Sequence, residues 1–282
     1  MLLLKILKGQ NHFLNNTGMN NTFSAGRFKL LFKKTLLERP MQLLGFTGLS
    51  FLLVLILYVL LKTFSGIGTA QNLSFIWGLA GGGCFLSSFV FAYFSSSSAG
   101  SSYLTLPASH FEKWLCGILI AAVLYPLLFM LFFRLMDAGF VAAYHNSLDP
   151  ASPFYKQQFD AVYGFAYDDN IAAKVYFLFL IFSSTMLLGS LYFNKTGFIK
   201  SAITCCVICS ASYGLNWLIA RILFGEINEA TLFYHVTIPV GKEEGSIELP
   251  ARVANIFQYS VCYVMPVLLY ALAYVRLKEK EF

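Results

Sequence analysis

Six cysteines, four histidines and a serine-rich run are the residues of this sequence best equipped for chemistry. The run Cys205-Cys206-Val207-Ile208-Cys209 contains one CxxC, the spacing of a thiol redox pair or of half a zinc site. The zinc use needs a second pair or nearby histidines, and His12, His110, His145 and His235 are scattered over three loops and a tail; the redox use needs a soluble redox-fold context, which this run lacks. Together with Cys84, Cys116 and Cys262, these thiols fall inside apolar runs, where small polarizable side chains pack between helices. The serines of FSSSSAGSS (94–102) have no paired base nearby, and the nucleophile pattern G-x-S-x-G does not occur. Gly241-Lys242 is followed by Glu243 where a phosphate-binding loop needs Ser or Thr. The expectation is a protein that is not an enzyme and carries no metal or cofactor. Any ATP that drives it is bound by another chain.

The elements that must position these residues follow from composition. With 57% hydrophobic, 17% aromatic and only 12% charged residues, the 282-residue chain lies outside the soluble globular range. Crossing the hydrocarbon of a bilayer takes about 20 mostly apolar helical residues. Six runs qualify, at about 42–62, 73–94, 115–136, 172–194, 198–223 and 256–276. The ten-residue alternation of a membrane barrel is absent, so the expected fold class is an all-α integral membrane bundle of six helices, a single domain over 41–282.

Charge sets the expected orientation. Arg27, Lys29, Lys33, Lys34 and Arg39 precede the first run, and Lys113, Lys195, Lys200, Arg276, Lys278 and Lys280 fall on the same side. Asp137, Asp149, Asp160, Asp168, Asp169, Glu226, Glu229, Glu243, Glu244 and Glu248 fall on the other. Both termini are therefore expected in the cytoplasm. The net charge of +6 reflects this asymmetry and attraction to anionic lipid, and it gives no support to nucleic-acid binding.

Residues 1–18 are apolar over too short a stretch for a span and lack a cleavage site, and Met19 offers an alternative start, so this segment is expected to be disordered or misassigned. Residues 19–40 hold an amphipathic segment with Phe28, Leu31, Phe32 and Leu36 on one helical face and Lys29 and Lys33 beside it, although Leu30 and Leu37 spoil the pattern. It is expected to lie on the inner leaflet, with Pro40 turning the chain into the first span.

Within the spans, Gly78 and Gly82 are four apart in WGLAGGGC, which allows close backbone approach, as helix packing inside the bundle or as a dimer seam. Arg134 with Asp137, and Arg221 with Glu226, sit at outer span ends; they mark a substrate path or, more simply, snorkel to the surface. Of the external segments, 138–171 is rich in Phe and Tyr, as in an aromatic cap, and 230–250 suggests a small hairpin turning at Gly241 to Ser246.

Between the second and third runs, YLTLPASHFEKW (103–114) is unusually polar. Pro107 stops extension and Ser109-x-x-Glu112 is a capping-box pattern for the helix that follows. This stretch, LLGSLYFNKTGFIKS (187–201) and NNTFSAGRFKLLFKK (20–34) together resemble a group of bacterial membrane proteins classed with ABC-2-type transporter permeases, over about residues 19–280 in topology. The resemblance implies six helices after a cytoplasmic interfacial helix, in the bacterial inner membrane, with a separate ABC ATPase subunit as partner and a homodimer or a second permease subunit alongside. It further implies that Tyr103, Leu104, Leu106, Pro107, Ser109, Glu112 and Lys113 form or position the ATPase-coupling contact, Glu112 and Lys113 orienting it through charge. Many members have apolar re-entrant helices between the last two spans, whereas 224–255 here is polar and strand-like. The expected function is a permease subunit of an exporter of lipid or amphiphilic peptide. The alternative is a membrane scaffold or sensor with permease-like architecture that transports nothing.

Overall fold

The computed structural model describes residues 23–38, 40–91, 94, 97–193, 197–231, 235–240, 243–248 and 250–280; the expectations for residues 1–18 and the charge at Lys195 lie outside them. Helix α1 (Ala25–Glu38) leads to α2 (Pro40–Ser65), α3 (Ile67–Val90), the short α4 (Ser97–Leu104), α5 (His110–Asn146), the short α6 (Tyr155–Asp160), α7 (Asn170–Tyr192) and α8 (Gly197–Phe224). Three strands follow, β1 (Glu229–Ala230), β2 (His235–Val240) and β3 (Glu243–Glu248), and then α9 (Ala251–Lys278). Among the described residues six helices are long and apolar enough to cross a membrane: α2 from Leu43, α3, α5, α7 from Ile171, α8 and α9. The chain is an all-α multi-pass membrane protein with one small sheet.

Two spans extend furthest past the limits that hydropathy predicts. α3 starts at Ile67 and not near 73, because Gly66 takes φ +86° and reverses the chain directly from α2, and because the polar first turns find partners. Gln71 in that stretch is buried and donates to Asp137 at 2.9 Å and to the Tyr163 carbonyl at 2.8 Å. α5 runs on to Asn146, so 138–146 is helix and not loop; its polar Asp137 is buried against the same groups. The serine-rich 97–104 forms α4.

Among the described residues three helices contain a π turn, and each has a local cause. In α5, Leu119–Leu124 is wound as π-helix just before Tyr125-Pro126, and in α9 Ser260–Val264 precedes Met265-Pro266; a proline ring cannot donate to the preceding turn, and a wider turn accommodates it. In α3 the π turn is the glycine stretch Trp77–Gly82. It leaves the Gly78 carbonyl to accept from the Tyr125 hydroxyl at 2.6 Å, with Ser50 at 3.2 Å from that same hydroxyl.

A Cβ at Gly78 would overlap the Phe129 ring and approach a Val54 methyl to 2.8 Å, and one at Gly82 would overlap the Tyr125 hydroxyl and Ser50. Both glycines therefore serve packing among α2, α3 and α5 of one chain, and neither faces outward as a dimer seam. Gly78→Ala is expected to destabilise the detergent-purified protein by about 1–3 kcal/mol through overpacking. Gly48→Ala, where an added Cβ meets nothing within 4 Å, should raise stability by up to about 1 kcal/mol through helix propensity. Thermal unfolding of the two variants checks the opposite signs.

Two cores result. One joins Leu31 of α1, Val90 and Phe91 of α3, Tyr103, Cys116 of α5, Leu187 and Leu191 of α7 and Leu277 of α9. The other, at the far end, is mostly aromatic, with Tyr58, Phe75, Phe129, Phe133 and Phe165. Phe165 stacks into this core 4.5 Å from Phe75, so the aromatic segment beyond α5 is partly a plug and not only a headgroup belt. α8 buries only Ser201 and Ala220 and leaves most of its length uncovered. The second strand starts earlier than expected: Val240 pairs with Glu243, and Glu243 to Ser246 belong to β3. Pro239 lies beyond the last β1 pairing at Thr237, where β2 has one neighbour and a missing donor costs least.

Candidate functional site

The polar stretch 103–114 folds into a turn whose flanks are locked. Ser109 is the N-cap of α5, and the capping box is complete: the Ser109 hydroxyl accepts from Glu112 N at 3.2 Å, and Glu112 Oε2 accepts from Ser109 N at 2.9 Å. The other carboxylate oxygen of Glu112 leaves this local motif. Oε1 accepts from the Ser24 backbone N–H at 2.7 Å and from the Arg27 guanidinium at 3.1 Å, both at the start of α1. One fully buried carboxylate thus ties α1 to the first turn of α5, across 85–88 residues of sequence. The ion pair gains from low local dielectric, and backbone donors satisfy the remaining lone pairs.

Apolar contacts surround this clamp. Phe28, Phe32 and Leu36, the apolar face of α1, pack with Leu31 on the core of the bundle, while Leu30 and Leu37 stay exposed. Phe111 sits edge-on to Phe23 at 6.2 Å and to Tyr274 of α9 at 6.2 Å. Trp114 donates its indole N–H to the Tyr270 carbonyl at 2.9 Å, so α9 joins the same junction. Just past α9, Lys280 lies 5.5 Å over the Phe94 ring; partial burial, with Arg276 close by, lowers its ammonium from the usual lysine range.

The seven residues of the expected coupling contact divide sharply. Tyr103, Ser109, Glu112 and Lys113 are buried, with Lys113 Nζ 5.8 Å over the Tyr103 ring. Glu112 and Lys113 therefore cannot present charge to a partner, and the role open to them is to position the turn. Leu106 is half-buried against the core, Pro107 is exposed, and Leu104 closes α4. Phe111, 40% exposed, lies at the surface beside the turn, and no spacing marks it, Ser24 or Arg27 as part of one contact. The signal for Arg27 was its place at the N-terminal edge of the amphipathic helix, but no spacing rule links it to Glu112.

At the far end of the bundle Asp137 is fully buried and does not snorkel. Its Oδ1 accepts from the Tyr58 hydroxyl at 2.8 Å and from Gln71 at 2.9 Å, and Oδ2 accepts from Phe165 N at 2.7 Å. Arg134 stays exposed, donating to the Phe165 carbonyl at 3.3 Å and lying 5.8 Å from the Tyr167 ring. Arg221 lies 5.1 Å over Trp217, and among the described residues it forms no ion pair with Glu226. This end is a structural latch that holds the segment beyond α5 on α2 and α3.

No protein-family model matches the chain, and no curated protein or solved structure matches it.

Proposed function

We propose that the chain is the membrane-embedded, non-catalytic permease subunit of an ABC-2-type exporter, driven by ATP hydrolysed on a separate subunit. The observation that supports this reading is the turn 105–108: it exposes Thr105 and Pro107, with Phe111 beside it, while the helix it leads into is bound to α1 through Glu112. Force applied at such a turn reaches α1 and α5 together, as coupling between a soluble motor and membrane helices requires. In this reading both termini are cytoplasmic, α1 lies on the inner leaflet of a bacterial inner membrane, and a second permease subunit meets the exposed α8. The cargo is apolar or amphiphilic, lipid or peptide, because the buried carboxylate at the far end is fully occupied by its own chain's donors and leaves no free ion site there.

The test uses the full-length protein purified from native membranes in mild detergent. Thr105→Asp with Pro107→Asp alters the exposed turn and spares both Glu112 and the Phe111 packing. An ATP-binding subunit is expected to co-purify with wild type in active form and to be lost with the double variant at unchanged melting temperature. If no ATP-binding subunit accompanies wild type, the permease reading fails and the scaffold or sensor reading replaces it.

A further inference from the structure

A second feature does not depend on energy coupling. Between α2 and α5, on the half of the bundle away from α1, lies an open groove of about 460 Å³ lined by Leu55, Phe132, Leu135, Met136, Phe140 and Ala143, with Gly139 in its floor. That volume falls in the range of small-molecule sites, about 300–1,000 Å³. Its walls are fixed. Phe132 stacks on Phe51 at 4.4 Å, and Phe140 stacks on Tyr58 at 4.7 Å, whose hydroxyl is held by Asp137.

The lining is wholly apolar, but its far rim is not. Lys62 Nζ sits 5.1 Å over the Phe140 ring, and no ion pair to Lys62 occurs among the described residues. Helical rise places Lys62 about 28 Å along α2 from Leu43, close to the roughly 30 Å of a bilayer's hydrocarbon core, so its ammonium stands at headgroup level. Leu55 lies about 10 Å deeper, among acyl chains. An apolar slot at acyl depth under one available cation complements one kind of occupant.

We infer that the α2–α5 groove is a binding site for an anionic glycerophospholipid of the leaflet opposite α1, with an acyl chain lying along Gly139 and the phosphate on Lys62. The site holds whether or not the chain exports anything. An uncharged partner or a bare hydrocarbon would leave Lys62 without a counter-charge, and a soluble anion would leave the groove unfilled.

Native mass spectrometry of the full chain in mild detergent tests this, with phosphatidylglycerol and phosphatidylcholine of identical acyl chains supplied in equal amounts. Wild type is expected to retain one lipid through the activation that strips annular lipid, with phosphatidylglycerol favoured about fivefold, the effect of one basic residue near an anionic headgroup. Lys62→Gln should bring the two lipids to parity. Gly139→Phe projects into space where an added Cβ meets nothing within 4 Å, so the fold should persist while the retained lipid of both kinds is lost. Thermal unfolding confirms that it does persist, and Gly139→Leu serves if the larger ring disturbs it. A wild type that retains no lipid, or a folded Gly139 variant that retains as much as wild type, overturns the site. An unchanged phosphatidylglycerol preference in Lys62→Gln overturns the headgroup assignment. Neither variant touches the turn at Pro107, so failure here and failure of the ATPase pull-down are separate results.

Discussion

Glu112→Ala is expected to release α1 from the bundle and to lower stability by about 3 kcal/mol. The substitution leaves the Ser24 and Ser109 amides and the Arg27 guanidinium without their acceptor, in a site where the carboxylate is fully buried. Stranding a buried donor costs about 1–3 kcal/mol, and charged partners cost more, although Arg27 recovers part of this because its side chain is 32% exposed. Limited trypsin digestion reads the release: Lys29, Lys33 and Lys34 are exposed on α1, but cleavage there needs the helix to open locally. Digestion of Glu112→Ala should be at least tenfold faster than wild type. Ser109→Ala, which removes only the cap acceptor, should cost about 1 kcal/mol and leave digestion nearly unchanged. Equal digestion rates for wild type and Glu112→Ala would show that the clamp does not hold α1.

Asp137→Ala should carry a cost of similar size at the other end, about 3–4 kcal/mol, because Tyr58, Gln71 and the Phe165 amide all lose their acceptor in a buried setting. The expected consequence is local as well as global. Hydrogen exchange around Phe165 should rise, since that amide's protection depends on the Asp137 carboxylate and on the aromatic packing that it seats. Asp137→Asn keeps the shape but turns one oxygen into a donor that must face another donor, so it should also destabilise, by less than alanine. If exchange near Phe165 is unchanged in Asp137→Ala, the ring packing alone holds the segment and the latch is secondary.

These two carboxylates also show where sequence reasoning stops. The Ser109–Glu112 box was legible because its partners are three residues apart, within reach of a single helical turn. That same carboxylate's bonds to Ser24 and Arg27 were not legible, since they depend on how α1 docks. Glu112 and Lys113 looked like surface charges for a partner because a polar stretch between spans is normally solvated. Here the stretch is folded back under α1, where Glu112 finds donors and Lys113 finds an aromatic ring. Asp137 looked like a snorkelling charge for a related reason: hydropathy prices an ionised residue as if it faced lipid or water, and it cannot see Tyr58 and Gln71 on two other helices.

What the sequence determined by itself is the membrane class, the number of long apolar helices, the amphipathic face of α1, the start of α5 and the presence of a hairpin near 235–248. Each follows from local composition or from a period of two or 3.6 residues, which a single chain carries without reference to its neighbours. Tertiary structure decided the span ends at Ile67 and Asn146, the inward use of Gly78 and Gly82, the burial of Glu112 and Asp137 and the groove beneath Lys62. Each of these depends on groups brought together from distant parts of the chain, and a buried polar group or a glycine gap acquires its meaning only from what packs against it.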